Sequence, residues 1–209
     1  MDVSIFDLDN TLYAPERELF SLIDLRINRY MREVVGIAAD EVDGLRRAYW
    51  AQYGVTLGGL MHHYGIDPED YLEYVHDVDV RQRLFPDPAL RSALEALGGV
   101  KVVFTNGSRS HAERVLAALG LSDQFSAIFD IRIADYRPKP YVDPYQAVLR
   151  RLGVEAARCV MVEDSAPNLE TAKTLGMKTV LVGHSVRAPY VDACVARAEQ
   201  AAQLIGGWQ

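Results

Sequence analysis

Val3-Ser4-Ile5-Phe6-Asp7-Leu8-Asp9-Asn10-Thr11-Leu12-Tyr13 is a short apolar run that gives way to two aspartates spaced two residues apart. A run of this kind, bounded by polar turn residues, reads as a buried strand of a parallel sheet. Alternate side chains of a strand share a face, so the spacing predicts that Asp7 and Asp9 point to one side at the strand's carboxyl end. Two like charges so close cost energy unless a cation or a shared proton offsets them. The competing reading is an acidic loop that caps a helix.

Further apolar runs recur from Val3 to Leu8, Val100 to Phe104, Ala127 to Ile131, Cys159 to Val162 and Lys178 to Val182, with helical patterns between them. Asp87-Pro88 and Asp143-Pro144 each place a capping side chain before a proline at the first helical position, and Gly120, Gly153 and Gly176 read as helix stops. Strand and helix alternating in this way predict an α/β fold, a doubly wound parallel sheet with helices on both faces.

The segment 15–85 breaks the alternation, because it has helical periodicity without strands. Leu19, Leu22, Ile23, Ile27, Tyr30, Met31 and Val34 fall on one stripe, Val42, Leu45, Tyr49 and Tyr53 on another. Asp67-Pro68 opens a further helix in which Tyr71, Tyr74 and Val75 face inward. An all-helical insertion directly after the first strand stands over that strand's carboxyl end, where open α/β sheets bind ligands. The expected organisation is a discontinuous core, 1–14 and 86–209, with a small helical cap domain, 15–85.

The chain has 209 residues, 49% of them hydrophobic, with 22 basic against 29 acidic side chains and a formal charge of −7. That is enough apolar material for one core and a small accessory domain. The negative balance argues against nucleic acid polymers and anionic membranes as partners. No basic stretch followed by an apolar one opens the sequence, and no run of about 18 apolar residues occurs, so a cytoplasmic protein is expected. Cys159 and Cys194 lie in apolar surroundings without His or Cys at ligand spacing and read as structural thiols.

Three more polar clusters follow predicted strands. Thr105-Asn106-Gly107-Ser108 brings out a hydroxyl, an amide and backbone donors that can hold phosphate oxygens, although Asn-Gly is also an ordinary turn. Arg137-Pro138-Lys139-Pro140 restricts the backbone around one lysine, which suits an oxyanion, a solvated loop lysine being the alternative. Glu163-Asp164-Ser165 puts acids at another strand end, either to meet Asp7 around a hard cation such as magnesium or merely to decorate a helix N-terminus.

In that order, Asp-x-Asp-x-Thr, Thr-Asn-Gly, Lys-Pro and Glu-Asp-Ser closely resemble the haloacid dehalogenase superfamily, across the whole chain. The resemblance implies a Rossmann-like core with a helical cap of the first type and a Mg2+-dependent phosphohydrolase chemistry. It makes Asp7 the nucleophile and Asp9 the general acid and base. It assigns catalytic and phosphate-holding roles to Thr105, Asn106 and Lys139, with Gly107 also in the substrate site. The metal ligands it implies are Asp7, Asp164 and the main-chain carbonyl of Asp9. The family's dehalogenases lack the second aspartate, so Asp9 argues against carbon–halogen cleavage. A silent binding or regulatory protein on the same fold would need a broken catalytic position, and none is present.

Within the superfamily the chain looks most like the pyrimidine 5′-nucleotidases, through Phe6 to Tyr13, Tyr53 to Leu60, His111 to Leu116 and Glu163-Asp164-Ser165 with Asn168, Glu170 and Thr171. This implies a nucleoside monophosphate such as UMP or CMP as the small partner; a monomer or homodimer is expected. Tyr13, Tyr53, Thr56, His62, Tyr64 and His76 are the candidates for contacting the nucleoside. Arg109 and His111 either approach the phosphate or sugar or stand solvated at a helix start. Phosphatases of sugar phosphates or phosphoglycolate share the same motifs and differ in the cap.

Overall fold

The computed structural model describes residues 1–185 and 187–208. In chain order the elements are β1 (Val3–Phe6), α1 (Leu19–Glu33), α2 (Val42–Tyr53), α3 (Thr56–Tyr64), α4 (Pro68–His76), α5 (Pro88–Ala96), β2 (Val100–Phe104), α6 (Arg109–Leu119), β3 (Ala127–Phe129), α7 (Val142–Leu152), β4 (Cys159–Glu163), α8 (Ala166–Thr174), β5 (Lys178–Val182), β6 (Ala193–Val195) and α9 (Ala198–Gly206). The six strands form one sheet, ordered β3-β2-β1-β4-β5-β6, and every pairing is parallel. This is the doubly wound, Rossmann-like arrangement the alternation predicted, with the helical insertion α1–α4 between the first two strands.

Period-two alternation along each strand builds two cores. Val3, Ile5, Val102, Phe104, Cys159, Met161 and Leu181 pack on one face with Tyr145 and Val148 of α7 and Leu169 and Ala172 of α8. Phe6, Val103, Val160, Val162, Val180 and Val182 pack on the other, against α5, α6 and α9. A third cluster lies within the insertion, where Ile23, Ile27, Tyr30, Met31, Val42, Tyr49, Leu57, Leu60, Tyr71 and Val75 meet, joined by Ile131 from the sheet side.

β1 pairs with β2 on one side and β4 on the other, Phe6 standing opposite both Val103 and Val162. The chain therefore reverses its direction of winding at β1, and the carboxyl ends of β2, β1 and β4 open a crevice. Asp7, Thr105 and Asp164 lie immediately beyond these strands or at their ends.

Several expectations shift at element ends. β1 stops at Phe6 rather than Leu8, because the carbonyl of Leu8 turns to accept from Thr11 N and Leu12 N at 3.3 and 2.9 Å. β3 stops at Phe129 rather than Ile131, where the Asp130 carboxylate accepts from Arg132 N and opens a short 3-10 turn. Asp143 is not the cap of α7: that helix starts at Val142 with Tyr141 before it, and Asp143 sits in its first turn. Val34 falls off the buried stripe of α1 and is 56% exposed, as the C-cap residue past the last turn. Cys194 is exposed, whereas Cys159 is buried and its thiol is pushed up to about 11 by burial. No helix among the described residues is long and apolar enough to cross a membrane.

Asp87 is the cap of α5, accepting from Leu90 N at 3.0 Å. Replacing it by Ala is expected to cost about 1 kcal/mol of stability in denaturant unfolding. Asp143→Ala, which removes only an exposed pairing to Arg137, is expected to fall within about 0.5 kcal/mol of the parent.

Candidate active site

The crevice leads into a cavity of about 680 Å³ between sheet and insertion. Its floor is Asp7, Asp9, Thr105, Asn106, Gly107, Lys139, Glu163 and Asp164, so the sequence-predicted site residues converge. Its walls include Ile23, Ile27, Trp50, Leu57, Tyr71 and Val75 from the insertion.

Lys139 is the hub of the floor. Its Nζ donates to Asp7 Oδ1 at 2.7 Å, to Glu163 Oε1 at 2.8 Å and to the Phe104 carbonyl at 2.8 Å. An ammonium has three protons, so all are given to the protein and the lysine is fixed in place. The alternative of a solvated loop lysine is excluded, since the side chain is buried. Asn106 holds the loop that carries it: its Oδ1 accepts from Lys139 N at 2.7 Å and its Nδ2 donates to Lys139 O at 3.0 Å. Thr105 Oγ1 accepts from Gly107 N at 2.9 Å, which curls the strand end around the floor.

Glu163 is consumed in this scaffold. Oε1 takes Lys139 and Asn168 Nδ2, and Oε2 takes Ser165 N at 3.0 Å. Burial opposes its ionisation, yet the Lys139 ammonium, a hydrogen bond with Asp164 and the Ser165 N–H outweigh burial and hold it below the usual carboxylate range. Asp7 goes the other way. Burial and the Glu163 charge outweigh Lys139 and push it up to about 7. Asp164, held through Oδ1 by Thr11 Oγ1 at 3.2 Å, is pushed up to about 8 by burial and by the charges of Asp7 and Glu163.

The donor set fits a metal ion. Asp7, Glu163 and Asp164 each bring a carboxylate oxygen within 4.8 Å of the others, the one such cluster among the described residues. Three carboxylates face one ammonium, and burial together with the neighbouring negative charges raises Asp7 and Asp164. Oxygen ligands of this hardness suit a hard divalent cation, with Asp7 and Asp164 better placed to bind it than the engaged Glu163.

Asp9 does not share a strand face with Asp7, since β1 has ended, yet it lines the same cavity. Its Oδ1 accepts from Tyr13 OH at 2.6 Å and meets His111 Nε2 at 2.8 Å. Burial opposes its ionisation, but His111 and Tyr13 outweigh burial and hold it below its ordinary value.

Of the six side chains expected to contact a nucleoside, Thr56 and His76 line the cavity, Tyr13 turns to Asp9, and Tyr53, His62 and Tyr64 lie outside its lining. Tyr53 instead packs with Tyr49, His62 and His63 across α2 and α3. Arg109 is not a ligand of the floor, because its guanidinium donates to the Ile128 carbonyl. His111 is buried rather than solvated. Its place was readable in the spacing His111, Ala112, Val115, Leu116, Leu119, the inward stripe of α6. Trp50, 64% exposed at the cavity rim, carried no comparable signal.

Residues 1–176 match the model of the haloacid dehalogenase-like hydrolases. "Phosphate metabolism protein 8" of Saccharomyces cerevisiae is 28% identical over 196 residues, covering 86% of this chain and 60% of that protein. The chain thus spans less than two thirds of that yeast relative. "Phosphoglycolate phosphatase" of Rhodospirillum rubrum is 31% identical over 204 residues, covering 86% of this chain and 78% of that protein. Among solved structures, L-2-haloacid dehalogenase from Xanthobacter autotrophicus superposes over 100% of both chains with a TM-score of 0.65 at 20% identity. A putative beta-phosphoglucomutase from Thermotoga maritima does so with a TM-score of 0.64 at 23% identity, again over 100% of both chains. These two likenesses concern the fold alone. With the motif residues gathered on one crevice floor and most of its length matched, the chain belongs to the haloacid dehalogenase-like hydrolase family.

Proposed function

We propose that this chain is a Mg2+-dependent phosphomonoester hydrolase that works through an aspartyl phosphate on Asp7, with a nucleoside monophosphate such as UMP or CMP as substrate. The observation that carries the reading is the floor of the cavity: one oxygen of Asp7 is pinned by Lys139, Asp164 stands beside it, and Asp9 lines the same space.

An oxygen of Asp7 attacks phosphorus, and as that bond forms the bond to the leaving alkoxide breaks while Asp9, in its protonated form, gives it a proton. Asp9 then takes a proton from water, whose oxygen attacks phosphorus and releases phosphate from Asp7. Asp7, Asp164 and the main-chain carbonyl of Asp9 are the residues to hold magnesium. When bound, magnesium offsets the charge of the phosphoryl oxygens. Thr105, Asn106 and Gly107 border the phosphoryl position. Lys139 acts by holding Asp7 and neutralising charge rather than by offering a free proton to phosphate, since all three are donated elsewhere.

The segment 15–85 acts as the cap over a core formed by 1–14 and 86–209. It supplies the apolar wall, with Trp50 as a ring surface for a planar leaving group. The cavity's size and apolar lining support a nucleoside over glycolate as the leaving group. Phosphoglycolate is the second reading, supported by the likeness to the Rhodospirillum rubrum protein.

Asp7→Asn is near-isosteric and is expected to lower phosphate release by roughly 10³-fold or more while the protein still folds; ordinary turnover would refute the nucleophile. Chelation of divalent metal is expected to abolish activity and magnesium to restore it. Because Asp7 and Asp164 are raised to about 7 and about 8, protons compete with the cation at lower pH. Magnesium binding, followed by calorimetry, is therefore expected to tighten as pH rises through that range and to release protons. A panel of nucleoside monophosphates, sugar phosphates and phosphoglycolate tests the substrate. Preference for UMP and CMP is the expected result, and preference for phosphoglycolate would replace it with the second reading.

A further inference from the structure

His111 and Tyr13 have no place in the chemistry described so far, yet both donate into it. Tyr13 comes from the turn after β1 and His111 from the first turn of α6, 98 positions later, and they meet on the same oxygen, Asp9 Oδ1, at 2.6 and 2.8 Å. Toward a carboxylate oxygen that offers only lone pairs, the Tyr13 hydroxyl is the donor.

His111 is fully buried, and its second nitrogen, Nδ1, has no hydrogen-bond partner among the described residues. A buried N–H without a partner costs more than a bare lone pair, so the ring's proton belongs on Nε2, facing Asp9. A residue that served packing alone would leave no orphan there; a leucine would fill the space without one. The ring is held from the insertion side as well. His76, at the end of α4, stacks on it with centroids 4.6 Å apart and planes 21° apart. His76 Nδ1 is itself fixed by the Leu72 carbonyl at 2.9 Å and Ser108 Oγ at 3.2 Å.

We propose that His111 and Tyr13 are positioning residues for the acid–base step: by donating jointly to Oδ1 of Asp9 they fix the carboxyl's rotation and leave Oδ2 as the oxygen that exchanges the proton. The inference rests on the reading of Asp9 as general acid and base. Oδ2 gives its proton to the leaving oxygen as the P–O bond breaks, and takes one back from the attacking water. The stacked His76 ties this alignment to the helical insertion.

The test compares the parent with Tyr13→Phe, His111→Leu and His111→Gln by kcat/KM, which reports steps up to departure of the leaving group. Two substrates are used: 4-nitrophenyl phosphate, whose leaving group needs no proton, and whichever of UMP or phosphoglycolate is turned over faster, whose alkoxide does. Tyr13→Phe and His111→Leu are expected to lose ~10-fold or more on the alkyl ester but less than ~3-fold on the nitrophenyl ester. His111→Gln, which can still present a donor to Asp9, is expected to recover part of the loss. Equal losses on both substrates, or none, would overturn the proposal. If His111→Leu does not fold, Tyr13→Phe decides alone, since it removes one hydroxyl. Asp7→Asn in the same assay separates the two levels: normal turnover there defeats the hydrolase reading itself, whereas its loss together with unchanged Tyr13→Phe and His111 variants defeats only this inference.

Discussion

The ammonium of Lys139, between Asp7 and Glu163, is the contact on which the site depends. Taking carboxylates out of water is expensive, and here Asp7 and Glu163 are buried with Asp164 close by. One fixed positive charge offsets part of that repulsion, and it does so unequally. Glu163 receives the lysine, an asparagine amide and a backbone N–H and is held below the usual carboxylate range, whereas burial and neighbouring charge raise Asp7 and Asp164. With a carboxylate oxygen from each of Asp7, Glu163 and Asp164 within 4.8 Å of the others, the cluster could hold a cation.

That arrangement follows from the sheet. Parallel pairing of β1 with both β2 and β4 brings three strand ends together, and the reversal of winding at β1 keeps helices from covering them. The Lys139 loop then reaches in, clasped by Asn106 and packed against the insertion, where the Gly54 backbone, at φ 80°, approaches Pro138 so closely that an added Cβ would lie 3.0 Å from its ring. Further bonds, from Arg132 and Tyr136 to Glu69 and from Arg114 to the His76 carbonyl, tie α4 to the core. The insertion is thus seated on the same elements that carry the floor.

The fold and the floor were legible in sequence because both rest on local patterns. Five apolar runs became five strands, and four polar clusters after them became the crevice floor. β6 escaped notice because Ala193-Cys194-Val195 is too short to show a period, and strand ends slipped where Leu8 and Asp130 redirect the backbone through hydrogen bonds that composition does not reveal. The cavity wall was harder still. Tyr53 and His62 are polar aromatics of the right kind, yet their rings pack on each other, whereas Trp50 reaches the rim through its position on α2. Which aromatic faces a cavity is decided by packing between helices, and the sequence encodes that only indirectly.

Rapid acid quench during turnover, followed by peptide mass mapping, addresses the central claim most directly. A phosphoryl group on the peptide that contains Asp7, gained and lost on the timescale of turnover, is the result expected. Sustained phosphate release with that peptide unmodified at every time point, or with the label on another side chain, would contradict it.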